Sequence, residues 1–158
     1  MVRIEPLNHR DIAVAQQIHA VLMLAYAQEA QLLRVKHFAP LERTPADVQA
    51  DNEHYLGALR GEAIVGIVSF APDEEPGQFL ISSLVVHPGH QRQGIATALM
   101  REALRLGDGE AFAVSTGANN SPAIALYRGL DFIEYRFGTI GPESLPLVKL
   151  RRRVRPNT

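Results

Sequence analysis

The sequence predicts a single mixed α/β domain, a central sheet with helices on both faces. Three observations carry this. Strand-like and helix-like segments alternate through the second half of the chain, whereas the middle reads as a hairpin. A length of 158 residues, with 46% hydrophobic and 21% charged residues, fits one domain around one core. No internal repeat, linker or low-complexity tract divides the chain, so residues 1–158 are taken as one domain.

The elements follow from local signals. Val2-Arg3-Ile4 is a short strand. Asn8 or Asp11 caps a helix running to about Ala30. Leu32 to Thr44 is loop or irregular helix, and Pro45 opens a short helix reaching about Glu53. Tyr55 to Leu59 and Ala63 to Ala71 form a hairpin around Arg60-Gly61-Glu62, followed by the polar turn Asp73-Glu74-Glu75-Pro76-Gly77. Phe79 to Val86 is a strand, Pro88-Gly89 a tight turn, and a helix from about Gln93 stops at Gly107-Asp108-Gly109. Ala111 to Ser115 is a strand, Ser121 to Leu130 a helix, and Phe132 to Gly138 and Leu147 to Arg152 are strands. Ile95, Leu99, Ala103 and Leu106 recur at helical spacing and are assigned to the core.

Composition excludes several functions. Net charge is −1, which points to neither a nucleic-acid nor a membrane partner. The chain has no cysteine, so disulfides, Cys-based metal sites and cysteine nucleophiles are out, and a reducing cytoplasm fits. No apolar signal region opens the chain and no run reaches membrane-spanning length. The six histidines form no metal set; His87 and His90 straddle Pro88-Gly89, which breaks the helical spacing of a ligand pair.

The most informative stretch is Leu84-Val85-Val86-His87-Pro88-Gly89-His90-Gln91-Arg92-Gln93-Gly94-Ile95-Ala96-Thr97. A strand, a turn and a helix start follow one another, with small residues at 94 and 96. Free backbone N–H groups and the positive dipole end at such a start seat a phosphate. A P-loop would need Lys after Gly94, and a dinucleotide fold would need an acidic residue about twenty positions on, near Val114; neither is there.

Gln91-x-x-Gly94-x-Ala96 resembles the acetyl-CoA signature Gln/Arg-x-x-Gly-x-Gly/Ala of the GNAT (GCN5-related) N-acetyltransferase family. A second segment resembles the family's later motif, with Asn120, Ala123, Leu126, Tyr127 and Phe132 matching. The two motifs stand in the family's order and separation, and the resemblance spans about Glu62 to Arg152. It implies a sheet of about seven mostly antiparallel strands, splayed where the cofactor enters. It also implies acetyl-CoA as cofactor and an amine, small-molecule or protein, as acceptor.

The resemblance assigns roles. The backbone N–H groups of Gln91, Arg92, Gln93, Gly94, Ile95, Ala96 and Thr97 take the pyrophosphate. Backbone groups of Leu84, Val85 and Val86 pair with pantetheine as an added strand does. Asn120 either hydrogen-bonds the pantetheine or caps the Ser121–Leu130 helix, one residue being able to do both, and Ala123 is assigned to cofactor binding. Tyr127, a phenol with an ordinary pKa near ~10, protonates the departing thiolate. Arg92 is either a further phosphate contact or a solvated loop residue.

The chain departs from the family pattern in two ways. Asp131 stands where Gly is usual, at a position that asks for left-handed backbone. Leu80 and Ser115 occupy the strand positions where a catalytic Glu is often found, so no strand carboxylate serves as base and deprotonation is expected through ordered water or before binding. Ser82 and Ser83 either relay that proton through a water or line the splay. The acceptor pocket is expected between Tyr26 and Tyr55, a stretch of mixed charge that includes Glu29, Glu42, Glu53 and His54. Arg151-Arg152-Arg153 with Arg155 reads as a frayed basic end, or as the partner of a neighbour's Asp73-Glu74-Glu75 in a homodimer. The alternative function is a catalytically idle GNAT-fold domain that binds acyl-CoA as a sensor or scaffold.

Overall fold

A computed structural model describes residues 2–153 of the chain. Val2, expected in the first strand, precedes β1 (Arg3–Pro6). The helix α1 (Ile12–Leu33) is capped by Asp11, whose carboxylate accepts from the N–H groups of Ala13 and Val14. It runs three residues beyond Ala30 and ends in left-handed Arg34. A 3-10 turn (Ala39–Glu42) and α2 (Pro45–Ala50) follow, the latter opened by a capping box between Thr44 and Asp47. The remaining elements are β2 (His54–Arg60), β3 (Ala63–Pro72), β4 (Gln78–Val86), a 3-10 turn (Pro88–His90), α3 (Ile95–Leu106), β5 (Ala111–Gly117), α4 (Ser121–Gly129), β6 (Ile133–Ile140) and β7 (Leu145–Arg152).

The seven strands form one sheet in the order β1-β2-β3-β4-β5-β7-β6. Every pairing is antiparallel except β4 with β5. The fold class expected from sequence is the one observed. Two apolar layers cover the sheet. On one face Ile18, Leu22 and Tyr26 of α1 pack on Tyr55, Ile67 and Val85. On the other, Ile95, Leu99 and Met100 of α3 and Tyr127 of α4 join Val68, Phe70, Phe112, Val114 and Phe132. From Gly66 to Phe70 alternate residues of β3 serve the two layers, as the pleat requires, and the extra residue Val65 at the register slip opposite Ala58 and Leu59 offsets the alternation before it. Gly66 lets α3 come close: a Cβ there would lie 2.9 Å from Ile95 Cγ2 and 3.1 Å from Leu99 Cδ1.

Two expectations are corrected. Leu106, assigned to the core, is 51% exposed. It is the last residue of α3, where the chain turns away at Gly107, so its side chain has no sheet to cover it. The basic end is not frayed over Arg151 and Arg152, which belong to β7. The acidic turn is met within the same chain: Lys149 Nζ lies 2.8 Å from Asp73 and 3.3 Å from Glu75, and Arg151 lies 3.4 Å from Glu75. Strand β7 sits between β5 and β6, which brings its cations back to the turn before β4. Arg155 lies outside the described residues.

Candidate active site

β4 and β5 pair over only four positions, Gln78–Ile81 with Ala111–Val114. Beyond Ile81 the strands part. β4 stays paired to β3 through Ser83, Leu84, Val85 and Val86, so its other edge has no strand beside it. The register slips at Ser82, a bulge that re-aims the strand at the fork. The fork opens into a cleft of about 1150 Å³. Its walls are the C-terminal half of α1, the loop around residues 35–42, the free halves of β4 and β5, the start of α4 and the β6–β7 turn.

The start of α3 follows directly on this wall. Gly94 occupies the N-cap position with φ 77°, a left-handed conformation that favours glycine, and no side chain caps the helix. The first intrahelical bond is Ala98 N–H to the Gly94 carbonyl, which leaves the N–H groups of Ile95, Ala96 and Thr97 without helical partners. Their side chains do other work: Ile95 is buried beneath β3. Gln93 accepts a hydrogen bond from Arg60 at 2.6 Å. Gln91 donates to Gln28 of α1 at 2.6 Å and, with Arg92, lines the cleft.

Eight of the sequence-assigned residues line the cleft together: Leu84, Val85, Val86, Gln91, Arg92, Asn120, Ala123 and Tyr127. Gln93, Gly94, Ile95, Ala96 and Thr97 are not in its wall but at the adjoining helix start. Asn120 caps α4, its Oδ1 accepting from Ala123 N–H at 3.3 Å. Asp131 has φ 72°, the left-handed backbone inferred for it. Of the two serines, Ser83 is engaged: its Oγ accepts from the Tyr26 hydroxyl at 3.0 Å.

Tyr127 is buried on the α4 side of the fork, its ring 5.8 Å from that of Phe132. Burial raises its phenol pKa, and the negative charge of Glu29 raises it further. Among the described residues its hydroxyl has no hydrogen-bond partner, although it lines the cleft.

Glu29 was named in sequence only as one of several charged residues between Tyr26 and Tyr55. The structure places it in the cleft wall, where Asn120 Nδ2 donates to its Oε1 at 3.2 Å. Burial pushes its carboxyl above the ordinary glutamate range, an effect that the Asn120 hydrogen bond partly offsets. The available signal was periodic: Ala15, Ile18, Leu22 and Tyr26 form the buried stripe of α1, and the next residue on that stripe is Glu29.

The cleft's other rim is tied shut locally. Glu143 in the β6–β7 turn accepts from Lys36 N–H at 3.0 Å and His37 N–H at 3.2 Å. Arg43 Nη2 donates to Asp51 at 2.9 Å and to the Tyr55 hydroxyl at 3.0 Å, which anchors the loop before α2. Among the described residues no group of three or more acidic or histidine side chains is placed to hold a metal, and no helix is long and apolar enough to cross a membrane.

A strand edge left open beside an uncapped helix start is the arrangement the two motifs implied, and the family comparison decides its origin. The model of the Acetyltransferase (GNAT) family matches residues 16–132. The chain belongs to this family. UPF0157 protein YqkA of Bacillus subtilis is 32% identical over 130 residues, covering 82% of this chain and 37% of that protein. N-alpha-acetyltransferase RimI of Mycobacterium tuberculosis is 30% identical over 88 residues, covering 54% of this chain and 56% of that protein. The chain thus matches little more than half, or less, of the length of these relatives. The ribosomal-protein-S18-alanine N-acetyltransferase of Escherichia coli shares the fold with a TM-score of 0.75 at 16% identity, over 100% of this chain and 97% of that one. The PaiA N-acetyltransferase of Thermoplasma acidophilum, solved in complex with coenzyme A, has a TM-score of 0.74 at 14% identity over 94% and 98%.

Proposed function

We propose that this protein moves an acetyl group from acetyl-CoA to a primary amine by direct transfer in a ternary complex. The observation that carries the reading is the fork itself: Tyr127 faces a cleft flanked by the unpaired edge of β4 and adjoining the uncapped start of α3. These residues fit coenzyme A. N–H groups of Gly94 to Thr97 suit a pyrophosphate, and the open backbone of Ser82 to Val86 suits the amides of a pantetheine arm. Arg92 adds a cation beside the phosphates.

Acetyl-CoA supplies an activated thioester. The chain's own residues then have three tasks: to hold the acyl carbon at the fork, to receive a neutral amine, and to return a proton to sulfur. Tyr127 serves the last. Its raised pKa makes it a weak acid at rest, one that donates as negative charge builds on sulfur. With no cysteine in the chain, no thiol can carry the acyl group between substrates. Relatives named as N-acetyltransferases support an amine acceptor, on a small molecule or a protein. Lack of cysteine supports a cytoplasmic location.

The test is release of thiol from acetyl-CoA across a panel of polyamines, aminoglycosides, amino acids and peptides with free N-termini. Amine-dependent release is expected for one class. Tight coenzyme A binding with no amine-dependent release would favour the idle, acyl-CoA-sensing alternative, which the non-acidic Leu80 and Ser115 would then explain.

A further inference from the structure

Glu29 occupies a position where an apolar side chain would serve the helix better. It continues the buried stripe of α1, yet it presents a carboxylate to the cleft. Its one hydrogen bond comes from the amide of Asn120, and among the described residues no Lys or Arg pairs with it. No donor among these residues reaches Oε2. A part-buried carboxylate without a cation is held at an energetic cost, which marks it as a group that meets a ligand.

Resting on the reading that the cleft transfers acetyl to an amine, we propose that Glu29 of α1 is the catalytic base, in place of the ordered-water or prior deprotonation expected from the strand positions, receiving the acceptor's ammonium at Oε2 with its carboxylate oriented by Asn120. The protons balance as follows. Glu29 takes one proton from the ammonium and releases it to solvent after turnover. The neutral nitrogen forms its bond to the acyl carbon as the carbon–sulfur bond breaks. Sulfur receives the phenol proton of Tyr127, and the second nitrogen proton restores the phenol. The net products are the amide, the free thiol and one proton.

The same geometry couples the two ends. The groups facing Glu29 are Tyr26 from its own helix and Asn120 and Tyr127 from α4; His37, Glu42, Glu143 and Arg92 line the same cleft. The charge of Glu29 is, after burial, the largest influence holding the Tyr127 proton on its oxygen. Once Glu29 has taken the amine's proton that charge is gone, and Tyr127 becomes a stronger acid as sulfur needs its proton. Deprotonation at one end of the cleft thereby primes protonation at the other.

Glu29→Gln keeps an oxygen for Asn120 and removes the base. With acetyl-CoA and two acceptor probes, spermine and trialanine, kcat/KM is expected to fall by roughly 10²-fold or more. The wild-type rate should rise with pH through a single ionisation that the variant lacks, and Glu29→Asp should retain it. Independently of turnover, the carboxyl carbon of Glu29, followed by NMR in 13C-glutamate-labelled protein with CoA bound and assigned by its absence in E29Q, should titrate at the midpoint of that limb. Unchanged CoA affinity of E29Q by calorimetry shows that the variant folds. Wild-type rate and profile in E29Q, or a Glu29 titration away from the kinetic limb in the wild type, overturns the assignment while acetyl transfer stands. A wild type that acetylates neither probe nor any other amine of the panel overturns the assignment together with the reading beneath it.

Discussion

Replacing Tyr127 by Phe removes one oxygen and leaves the ring. The ring is the structural part: it is 5% exposed, packs 5.8 Å from Phe132 and belongs to the core beneath α4. The hydroxyl has no protein hydrogen bond among the described residues, so its loss strands no partner. Stability should therefore move by no more than about 0.5 kcal/mol. For a chain of this size that is about 2 °C in Tm. Catalysis is a different matter. Losing a general acid costs roughly 10² to 10⁴ in rate. The raised phenol pKa places the expectation at the low end, because a weak acid contributes less to its conjugate's departure. A 10²-fold loss corresponds to about 2.7 kcal/mol of barrier, at least five times the stability change. Thiol release at saturating acetyl-CoA and amine measures the first quantity, calorimetric melting the second, and titration with CoA checks that the cleft is intact. Unchanged kcat with unchanged Tm would refute the donor role. A Tm drop of many degrees alongside the lost activity would show instead that the hydroxyl supports the fold.

Further outcomes are expected elsewhere. Gly94→Glu should raise the Kd for CoA by about tenfold or more, since it puts a like charge at the anion seat and an L-residue at φ 77°. Gly94→Asn, which tolerates left-handed backbone without the charge, should bind more tightly than Gly94→Glu; equal affinities by calorimetry would mean that neither charge nor strain governs the site. Gly66→Val should lower stability by about 1–3 kcal/mol in urea melts, because its Cβ would meet Ile95 at 2.9 Å and Leu99 at 3.1 Å. An unchanged midpoint would show that α3 can lift from the sheet. Lys149→Met leaves Asp73, with a side chain only 5% exposed, short of its cation and should cost about 1–3 kcal/mol at neutral pH.

Asp73 also predicts acid sensitivity. Burial alone would raise its carboxyl, but hydrogen bonds from Lys149 and Gln78 outweigh that and hold it below the ordinary aspartate range. A depressed folded pKa contributes stability that is present above the unfolded value near ~3.9 and is lost as pH falls through the folded value. Wild-type stability should therefore decline in that acid window, and Lys149→Met should show a shallower decline. Parallel acid profiles for the two proteins would remove Asp73 from the account.

Much of this molecule is local information. Asp11, Thr44-Pro45, Gly61 and Gly107 punctuate the chain within a turn of where the elements begin or end, so caps and hairpins are legible in the sequence. The proposed phosphate seat is legible for the same reason: strand, turn and uncapped helix start are contiguous, and Asn120 and Tyr127 lie seven residues apart on one helix and its cap. Register and end effects are less so. Leu106 keeps helical spacing but loses its cover because nothing in periodicity records where a helix runs out of sheet.

What the sequence by itself determined is the sheet-and-helix composition, the family and the residues that line or adjoin the cleft, each readable from a window of a few turns. What only the tertiary structure decided are the contacts that span the chain. Strand β7 enters between β5 and β6 and carries Lys149 back to Asp73, 76 residues away. The pairing of β4 with β5 stops after four positions and opens the cleft. Glu29 meets Asn120 across 91 residues and stands in the same cleft as Tyr127. No spacing rule encodes such meetings, because they depend on which strand edges remain unpaired and on how closely the packed layers allow two helices to approach across the fork.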